Sequence, residues 1–138
     1  MKKMIKVALF YVILALIGGV FYREFTKLNG FNGVTVLADV HVHLMVLGVF
    51  MFMILALFAK GLPLLKEKRF SLFMMLYNGG LLLTVIMLVV RGITQVLALS
   101  LSSAMSAAIS GIAGIGHILL GIGLVLLMSL LLNVAKED

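Results

Sequence analysis

Four long apolar runs constrain the fold of this chain more than any other feature of its sequence. Each run approaches or exceeds the ~20 residues that an α-helix needs to cross about 30 Å of hydrocarbon. We predict membrane spans at about 4–22, 36–59, 72–90 and 107–133. Only 12% of the residues are charged and the mean hydropathy is +1.29, which is too apolar for a soluble domain. The sequence therefore predicts an all-α integral membrane four-helix bundle, with residues 1–138 forming a single domain.

The distribution of basic residues predicts the orientation in the membrane. Eight of them precede the first run, separate the second from the third or follow the fourth: Lys2, Lys3, Lys6, Lys60, Lys66, Lys68, Arg69 and Lys136. Only Arg23, Lys27 and Arg91 fall on the other side. By the positive-inside rule, both termini are cytoplasmic. The net charge of +6 thus belongs to the segments between spans and indicates no nucleic-acid partner.

Two regions have more than one interpretation. The first run follows a basic start, as in a signal peptide, but Gly18–Tyr22 matches a cleavage site poorly, so we expect a retained anchor. The segment from Gly92 to Ser110 is apolar yet rich in Ser and Ala. It either lies along the outer interface or lengthens the fourth helix. Small residues at four-residue spacing, in Ser103-Ala107-Gly111 and Ser106-Ser110-Gly114, favour close packing between helices or subunits.

All three histidines lie in predicted spans, where ionisable residues are costly and usually functional. His41 and His43 are two residues apart, and helical residues turn about 100° each, so the two side chains point roughly 200° apart. They can therefore serve different sites on opposite sides of one helix. A zinc site needs three or four converging ligands, and this divergence disfavours it. The chain has no cysteine, which excludes thiolate ligands.

Glycines accompany two of the histidines. Gly48 is seven residues after His41, on the same helical face, while Gly114 and Gly121 lie one turn on either side of His117. Glycine clears the helix surface for a flat, bulky group beside an imidazole, as a porphyrin requires. It equally clears the surface for another helix. The spacing leaves both interpretations open.

Charged residues near the outer ends of the spans are further candidates. Asp39 is one turn before His43, so its carboxylate can orient that imidazole. Arg23, Lys27 and Arg91 are cations suited to carboxylates such as haem propionates. Ordinary anchoring at the membrane interface accounts for these cations equally well.

The run His41-Val42-His43-Leu44-Met45-Val46-Leu47-Gly48-Val49-Phe50 resembles the haem-ligating helix of the haem–copper oxidase superfamily. In that family a His-x-His enters from the outer side and serves two haems. The resemblance covers about ten residues, and it implies haem b as a cofactor held by histidines. Two departures are clear. This chain has the spans of only one of the family's helix arcs, and it lacks the adjacent-histidine pair that supplies copper ligands, so a copper centre is not expected.

The resemblance also implies a homo-oligomer, a trimer in which three chains replace the three arcs. His41 then ligates the haem of its own chain, and His43 that of a neighbour. The other possibility pairs His117 with His43 or His41 inside one chain, and both stay open. A haem with two histidine ligands has no open position and suits electron transfer. Loss of one ligand would open a site for oxygen or nitric oxide.

As a whole, the chain resembles small four-span bacterial membrane proteins of a family of unknown function. We therefore expect a multi-pass haem b protein of the bacterial cell membrane, which transfers electrons to or from a redox partner or senses a diatomic gas. The alternative is a transporter or accessory subunit whose histidines bind protons or a transition metal. A third interpretation is a purely structural subunit. No residue set in the sequence indicates a catalysed reaction.

Overall fold

The computed structural model describes residues 1–135 and is 85% helical. Its long helices are α1 (Lys2–Leu28), α2 (Leu37–Gly61), α3 (Phe70–Val96) and α4 (Ser103–Ala135). Each is long and apolar enough to cross a membrane, which confirms the all-α fold and the four spans. Lys136, one of the cations on the predicted inner side, lies outside the described residues. The cytoplasmic location of both termini stays a prediction.

The helices extend beyond the predicted spans because apolarity marks the part of a helix inside lipid, not its ends. The third helix continues to Val96 and the fourth begins at Ser103. Of the Ser- and Ala-rich segment, residues 103–110 thus lengthen the fourth helix, which was one of the two possibilities, while residues 92–96 end the third. The remaining connections are short, and the second contains a single 3₁₀ turn at Leu64–Lys66.

Helix packing follows the order of the chain. α1 packs along α2, α2 packs against α3, and the closest pairing is between α3 and α4. Within residues 1–135, neither α1 nor α2 packs extensively against α4. The bundle is therefore an open row of helices. Its outer faces expose large apolar side chains to the lipid bilayer, among them Leu16, Ile17 and Val20 of α1 and Ile118, Val125 and Leu132 of α4.

Glycines bring α3 and α4 together. A Cβ atom added at Gly80 would lie 2.9 Å from the main-chain oxygen of Gly116, so the two backbones are in direct contact. Gly123, seven residues after Gly116, has the same relation to Tyr77, with 3.1 Å between an added Cβ and the Cα atom of that tyrosine. Small residues allow this approach in lipid. The close contact therefore uses this pair of α4 glycines, whereas Gly111 of the predicted small-residue series has no neighbour within 4 Å.

The middle of α2 is a π-helix. The helix is α-helical over Leu37–His43, π-helical over Leu44–Phe50, and α-helical again over Met51–Gly61. We call Leu44–Phe50 the π segment. Such wide turns are rare and are often found at functional sites. The π segment begins at the residue directly after the His-Val-His motif. It therefore determines how the rest of α2 is oriented relative to the two histidines.

Candidate functional site

The two histidines of the His-Val-His motif face different helices. The Nδ1 atom of His41 lies 2.8 Å from the main-chain oxygen of Ala15 on α1. Gly19, one turn further along α1, makes room for this ring, since an added Cβ atom would lie 3.2 Å from the same nitrogen. The ring of His43 instead lies beside that of His117 on α4. The divergence expected from helical geometry is thus present in the structure.

All three imidazoles use Nδ1 in the same way. In each, this nitrogen lies 2.8–2.9 Å from a main-chain carbonyl oxygen. The carbonyl belongs to Ala15 for His41, to Asp39 for His43 and to Ala113 for His117. A carbonyl oxygen only accepts hydrogen bonds, so Nδ1 must carry the proton. In the neutral ring, Nε2 therefore keeps its lone pair, and metal-binding histidines are commonly oriented through such a bond from the other nitrogen.

The rings of His43 and His117 are 6.4 Å apart, centroid to centroid, and nearly perpendicular, with 89° between their planes. Two imidazoles on opposite sides of one metal ion have metal–nitrogen bonds of about 2.0–2.1 Å, and a nitrogen lies roughly 1.1 Å from its ring centre. The centroids are then roughly 6.3 Å apart in a linear arrangement of these bonds. The observed separation of the centroids is close to this value.

The glycines predicted beside the histidines have two different environments. Nothing lies within 4 Å of a Cβ atom added at Gly114 or Gly121, so bare backbone flanks His117 on both sides. At Gly48, the added atom would lie 2.5 Å from Cγ of Tyr11. The ring of Tyr11 fills the space that Gly48 leaves. This contact fits the second interpretation of such a glycine, close packing of another helix, and a role of Gly48 in cofactor binding stays a prediction.

Arg91 is fixed against α4 by hydroxyl and carbonyl groups. Its guanidinium donates to Oγ and the main-chain oxygen of Ser106, both at 3.2 Å, and to Oγ of Ser110 at 2.6 Å. Ser110 precedes His117 by seven residues, which places the cation roughly 10 Å along the helix from that imidazole. Ser106 and Ser110, the two serines of the small-residue pattern, therefore bind the guanidinium group of Arg91.

A cavity of about 320 Å³ lies between α3 and α4, close to the start of α2. Four polar residues line it, namely Thr84, Arg91, Ser110 and His117, and the rest of the lining is apolar apart from the backbone of Gly114. Thr84 is 1% exposed, and its hydroxyl is the one buried side-chain polar atom within residues 1–135 that has no hydrogen-bond partner. An unpaired buried hydroxyl is costly, so its position beside a cavity calls for a physical explanation.

Other polar side chains in the middle of the spans form hydrogen bonds between helices. The hydroxyl of Tyr11 donates to Oδ1 of Asn78 at 2.6 Å, which joins α1 to α3. Tyr77 donates to the main-chain oxygen of Leu47 at 2.8 Å, which joins α3 to α2. Sequence reasoning had missed Tyr11, although a tyrosine in the middle of an apolar span is itself a signal, because its hydroxyl needs a partner there.

Two charged candidates have surroundings that differ from those expected. Arg23 is 79% exposed at the end of α1, and the described residues pair it only with its neighbour Glu24, at 3.7 Å. Asp39 does orient His43, but through its main-chain oxygen, because its exposed carboxylate makes no bond to that ring. The structure thus brings His43, His117 and Arg91 to one side of the bundle, and leaves Arg23 in solvent.

Comparison with known proteins gives one match. The model of a family described as "Protein of unknown function (DUF2871)" matches residues 1–134. No curated protein and no solved structure matches the chain.

Proposed function

The chain belongs to the DUF2871 family, whose description names no activity, and from the chemistry of the site we propose that it is a haem b-binding membrane protein with His43 and His117 as axial ligands. The observation that carries this proposal is the 6.4 Å separation of two imidazoles whose Nε2 atoms have no hydrogen-bond partner among residues 1–135. Of the pairings that the sequence left open, this one lies within a single chain.

The number of ligands favours haem over an isolated metal ion. Within residues 1–135, no group of three or more His, Cys, Asp or Glu side chains lies together. Zinc takes three or four protein ligands. A porphyrin supplies four nitrogens itself, so two imidazoles complete the coordination of its iron. The two histidines meet the requirement of a haem iron and are too few for a zinc ion.

The surroundings of His117 also suit a porphyrin. The bare backbone at Gly114 and Gly121 accepts a flat apolar ring next to the imidazole. Arg91 lies roughly 10 Å further along α4, estimated from a rise of about 1.5 Å per residue. That distance is comparable to the reach of the porphyrin's carboxylate side chains, and guanidinium is the cation that pairs best with carboxylates.

When bound, haem supplies one-electron redox chemistry, and the protein's part is to hold it and close both axial positions. The hydrogen bonds from Nδ1 to the carbonyls of Asp39 and Ala113 fix the ring orientations. His43 and His117 together would leave a bound haem no open position, an arrangement that would suit electron transfer. We therefore propose electron transfer as the function, with a redox partner outside this chain.

The test is an absorption spectrum of the detergent-solubilised protein, produced with an adequate supply of haem. We expect a Soret band and the spectrum of a six-coordinate low-spin haem. Either His43→Ala or His117→Ala should convert the spectrum to that of a five-coordinate haem or lower the haem content. Val42→Ala, an exposed position between the two histidines of the motif, is the matched control and should leave the spectrum unchanged. A colourless protein would contradict the proposal and favour a transporter or accessory subunit.

The proposal includes a homo-oligomer, in which His41 has a distinct role. In the described part of the chain, its Nε2 atom has no hydrogen-bond partner, and the outer sides of α1 and α4, at the two ends of the helix row, have no packed neighbour. A second copy, in a trimer or otherwise, can supply the second ligand of a haem at His41. The ratio of haem to protein separates the cases, because one haem per chain fits the His43–His117 pair alone. A higher ratio that falls to one in His41→Ala would place a second haem at His41.

A further inference from the structure

We propose that the end of the bundle where α2 passes into α3 binds an anionic phospholipid. The phosphate of this lipid contacts the basic side chains of the α2–α3 connection, residues 62–69, and of Lys60 just before it. One acyl chain of the lipid lies in an apolar cavity at the end of α2. The proposal does not depend on haem, because Gly61 follows His41 by twenty residues, or roughly 30 Å of helix.

Positive charge is concentrated at this end of the bundle, where α1 begins, α2 ends and α3 begins. Within residues 1–135 it has one acidic residue, Glu67, and seven basic residues: Lys2, Lys3, Lys6, Lys60, Lys66, Lys68 and Arg69. The opposite end has three basic residues, Arg23, Lys27 and Arg91, and two acidic residues, Glu24 and Asp39. Lys136, Glu137 and Asp138 follow the described residues and add a net charge of −1. The excess of cations therefore lies at the α2–α3 end.

These cations have no carboxylate partner among the described residues. The ion pair that the structure contains within residues 1–135 joins Arg23 to Glu24, at the opposite end. Lys60, Lys66 and Lys68 are exposed, so their ammonium groups are accessible to an outside ligand. Basic residues at the membrane surface attract anionic headgroups, and clusters of them at helix ends are typical of anionic lipid sites.

The α2–α3 connection has a fixed backbone. Leu64 has no exposed surface and belongs to the hydrophobic core, and the 3₁₀ turn at Leu64–Lys66 contacts α2, α3 and α4. The amide of Lys66 donates to the main-chain oxygen of Pro63 at 2.8 Å. A flexible loop would be enough to orient the protein by its charges. Cations on a fixed backbone lose less conformational entropy when they bind a ligand together, which favours a binding site.

A cavity of about 610 Å³ lies at the end of α2. Its lining consists of Ile54, Leu57, Phe58, Gly61 and Leu62. Leu57 is 72% exposed, and nothing lies within 4 Å of a Cβ atom added at Gly61, so the cavity is open to the bilayer. Lys60 lies next to Gly61 in the chain, one residue beyond the predicted end of the second span. A lysine at a span end extends its ammonium group to the level of the phospholipid phosphates.

The cavity and the cations together identify the ligand. A soluble anion would use the cations but not an apolar cavity in the membrane. A zwitterionic phospholipid would use the cavity, but it has no net charge to match the excess of cations. An anionic phospholipid matches both, with its chain beside Leu57 and Phe58 and its phosphate at the level of Lys60.

The experiment measures the binding of two lipids with the same chains, dioleoyl phosphatidylglycerol and dioleoyl phosphatidylcholine, to the detergent-solubilised protein by native mass spectrometry. We expect the anionic lipid to bind at least about 10-fold more tightly. Lys66→Gln, Lys68→Gln and Arg69→Gln should each weaken its binding by about 5-fold and leave the zwitterionic lipid unaffected. Arg23→Gln and Lys27→Gln, at the opposite end, are the matched controls and should change neither affinity. Detergent micelles have no inner and outer side, so the result is separate from any effect of these cations on orientation.

A second variant tests the cavity. Gly61→Phe should fill it and lower the affinity for both lipids several-fold, whereas Gly111→Phe, an equally open position on α4, should not. Circular dichroism should show the same helical content in all variants. Glycerol phosphate, which has the charge without the chains, should not displace the lipid. Equal affinity for the two lipids, full affinity in the three Gln variants or in Gly61→Phe, or displacement by glycerol phosphate would each overturn the proposal. None of these outcomes bears on the haem site, which the Soret band tests separately.

Discussion

The hydroxyl of Tyr77 donates a 2.8 Å hydrogen bond to the main-chain oxygen of Leu47, in the middle of the π segment. On the other side of α2, the ring of Tyr11 lies against Gly48, where no side chain intervenes. Two tyrosines from α1 and α3 thus hold the wide turn in place. The turn begins directly after His43, so these contacts fix the part of α2 that follows that imidazole.

Replacing Tyr77 by Phe should destabilise the protein and disturb the haem site together. The change removes a part-buried hydrogen bond between α3 and α2, which costs about 0.5–1.5 kcal/mol. We expect a lower unfolding midpoint in detergent, measured by circular dichroism, and a broadened or shifted Soret band. Tyr22→Phe is the control, because no hydrogen bond involves that hydroxyl among the described residues. Equal effects of the two changes would argue against a special role for the π segment.

Alanine at Gly116 should loosen the contact between α3 and α4. Its Cβ atom would lie 2.7 Å from Oγ1 of Thr84 and 2.9 Å from the nitrogen of that residue, so the helices must separate, at a cost of about 1–3 kcal/mol. Gly111→Ala has open space on the same helix, and its better helix propensity should stabilise by about 0.5–1 kcal/mol. Opposite shifts of the unfolding midpoint are the expected result, and shifts of the same sign would contradict this packing.

A valine at Gly121 should prevent haem binding without affecting the fold. Nothing lies within 4 Å of the added Cβ atom, so the apoprotein has room for the side chain, but the side chain occupies the surface on which the porphyrin lies. We expect an unchanged helical circular dichroism spectrum and a haem content reduced several-fold. Gly79→Val is equally open on α3 and serves as the control. Normal haem content in Gly121→Val would move the porphyrin away from this face.

Arg91→Met should weaken haem binding only when the porphyrin has free carboxylates. Losing a charge-assisted hydrogen bond costs about 1.5–3 kcal/mol, or roughly 10- to 150-fold in affinity. The dimethyl ester of haem has no carboxylate, so the variant and the wild type should bind it equally. Titration of the apoprotein with both porphyrins measures the difference. If the ester were also affected, Arg91 would act on the fold of α4 through Ser106 and Ser110 rather than on the ligand.

The spans were predictable because apolarity accumulates over some twenty residues, and no neighbour is needed to recognise it. The divergence of His41 and His43 followed from the helical repeat in the same way. The proximity of His43 to His117 could not be predicted in this way. The two residues are far apart along the chain, and only the packing of α3 between α2 and α4 brings them together. From sequence spacing, Gly48 and Gly121 both leave space beside a histidine. In the structure the ring of Tyr11 fills the space at Gly48, while the space at Gly121 is open.

The π segment and the hydroxyl groups also depend on contacts between helices that the sequence does not reveal. The π segment has no signature in Leu44–Phe50, since Tyr77 and Tyr11 come from other helices. From the sequence, Thr84 and Tyr77 are equally able to form a hydrogen bond between helices. In the structure the hydroxyl of Tyr77 donates to a main-chain carbonyl, whereas the hydroxyl of Thr84 has no partner among the described residues.

The main-chain carbonyls that hold the three imidazoles have a consequence for assembly. Two of these carbonyls lie four residues before the histidine on the same helix, so His43 and His117 acquire their orientation as soon as their helices form. If the protein binds haem as proposed, the chain can insert and pack first, with both rings already oriented when the haem arrives. Because His117 is exposed on a lipid-facing helix, we expect that cofactor to enter sideways from the bilayer, without unfolding of the bundle.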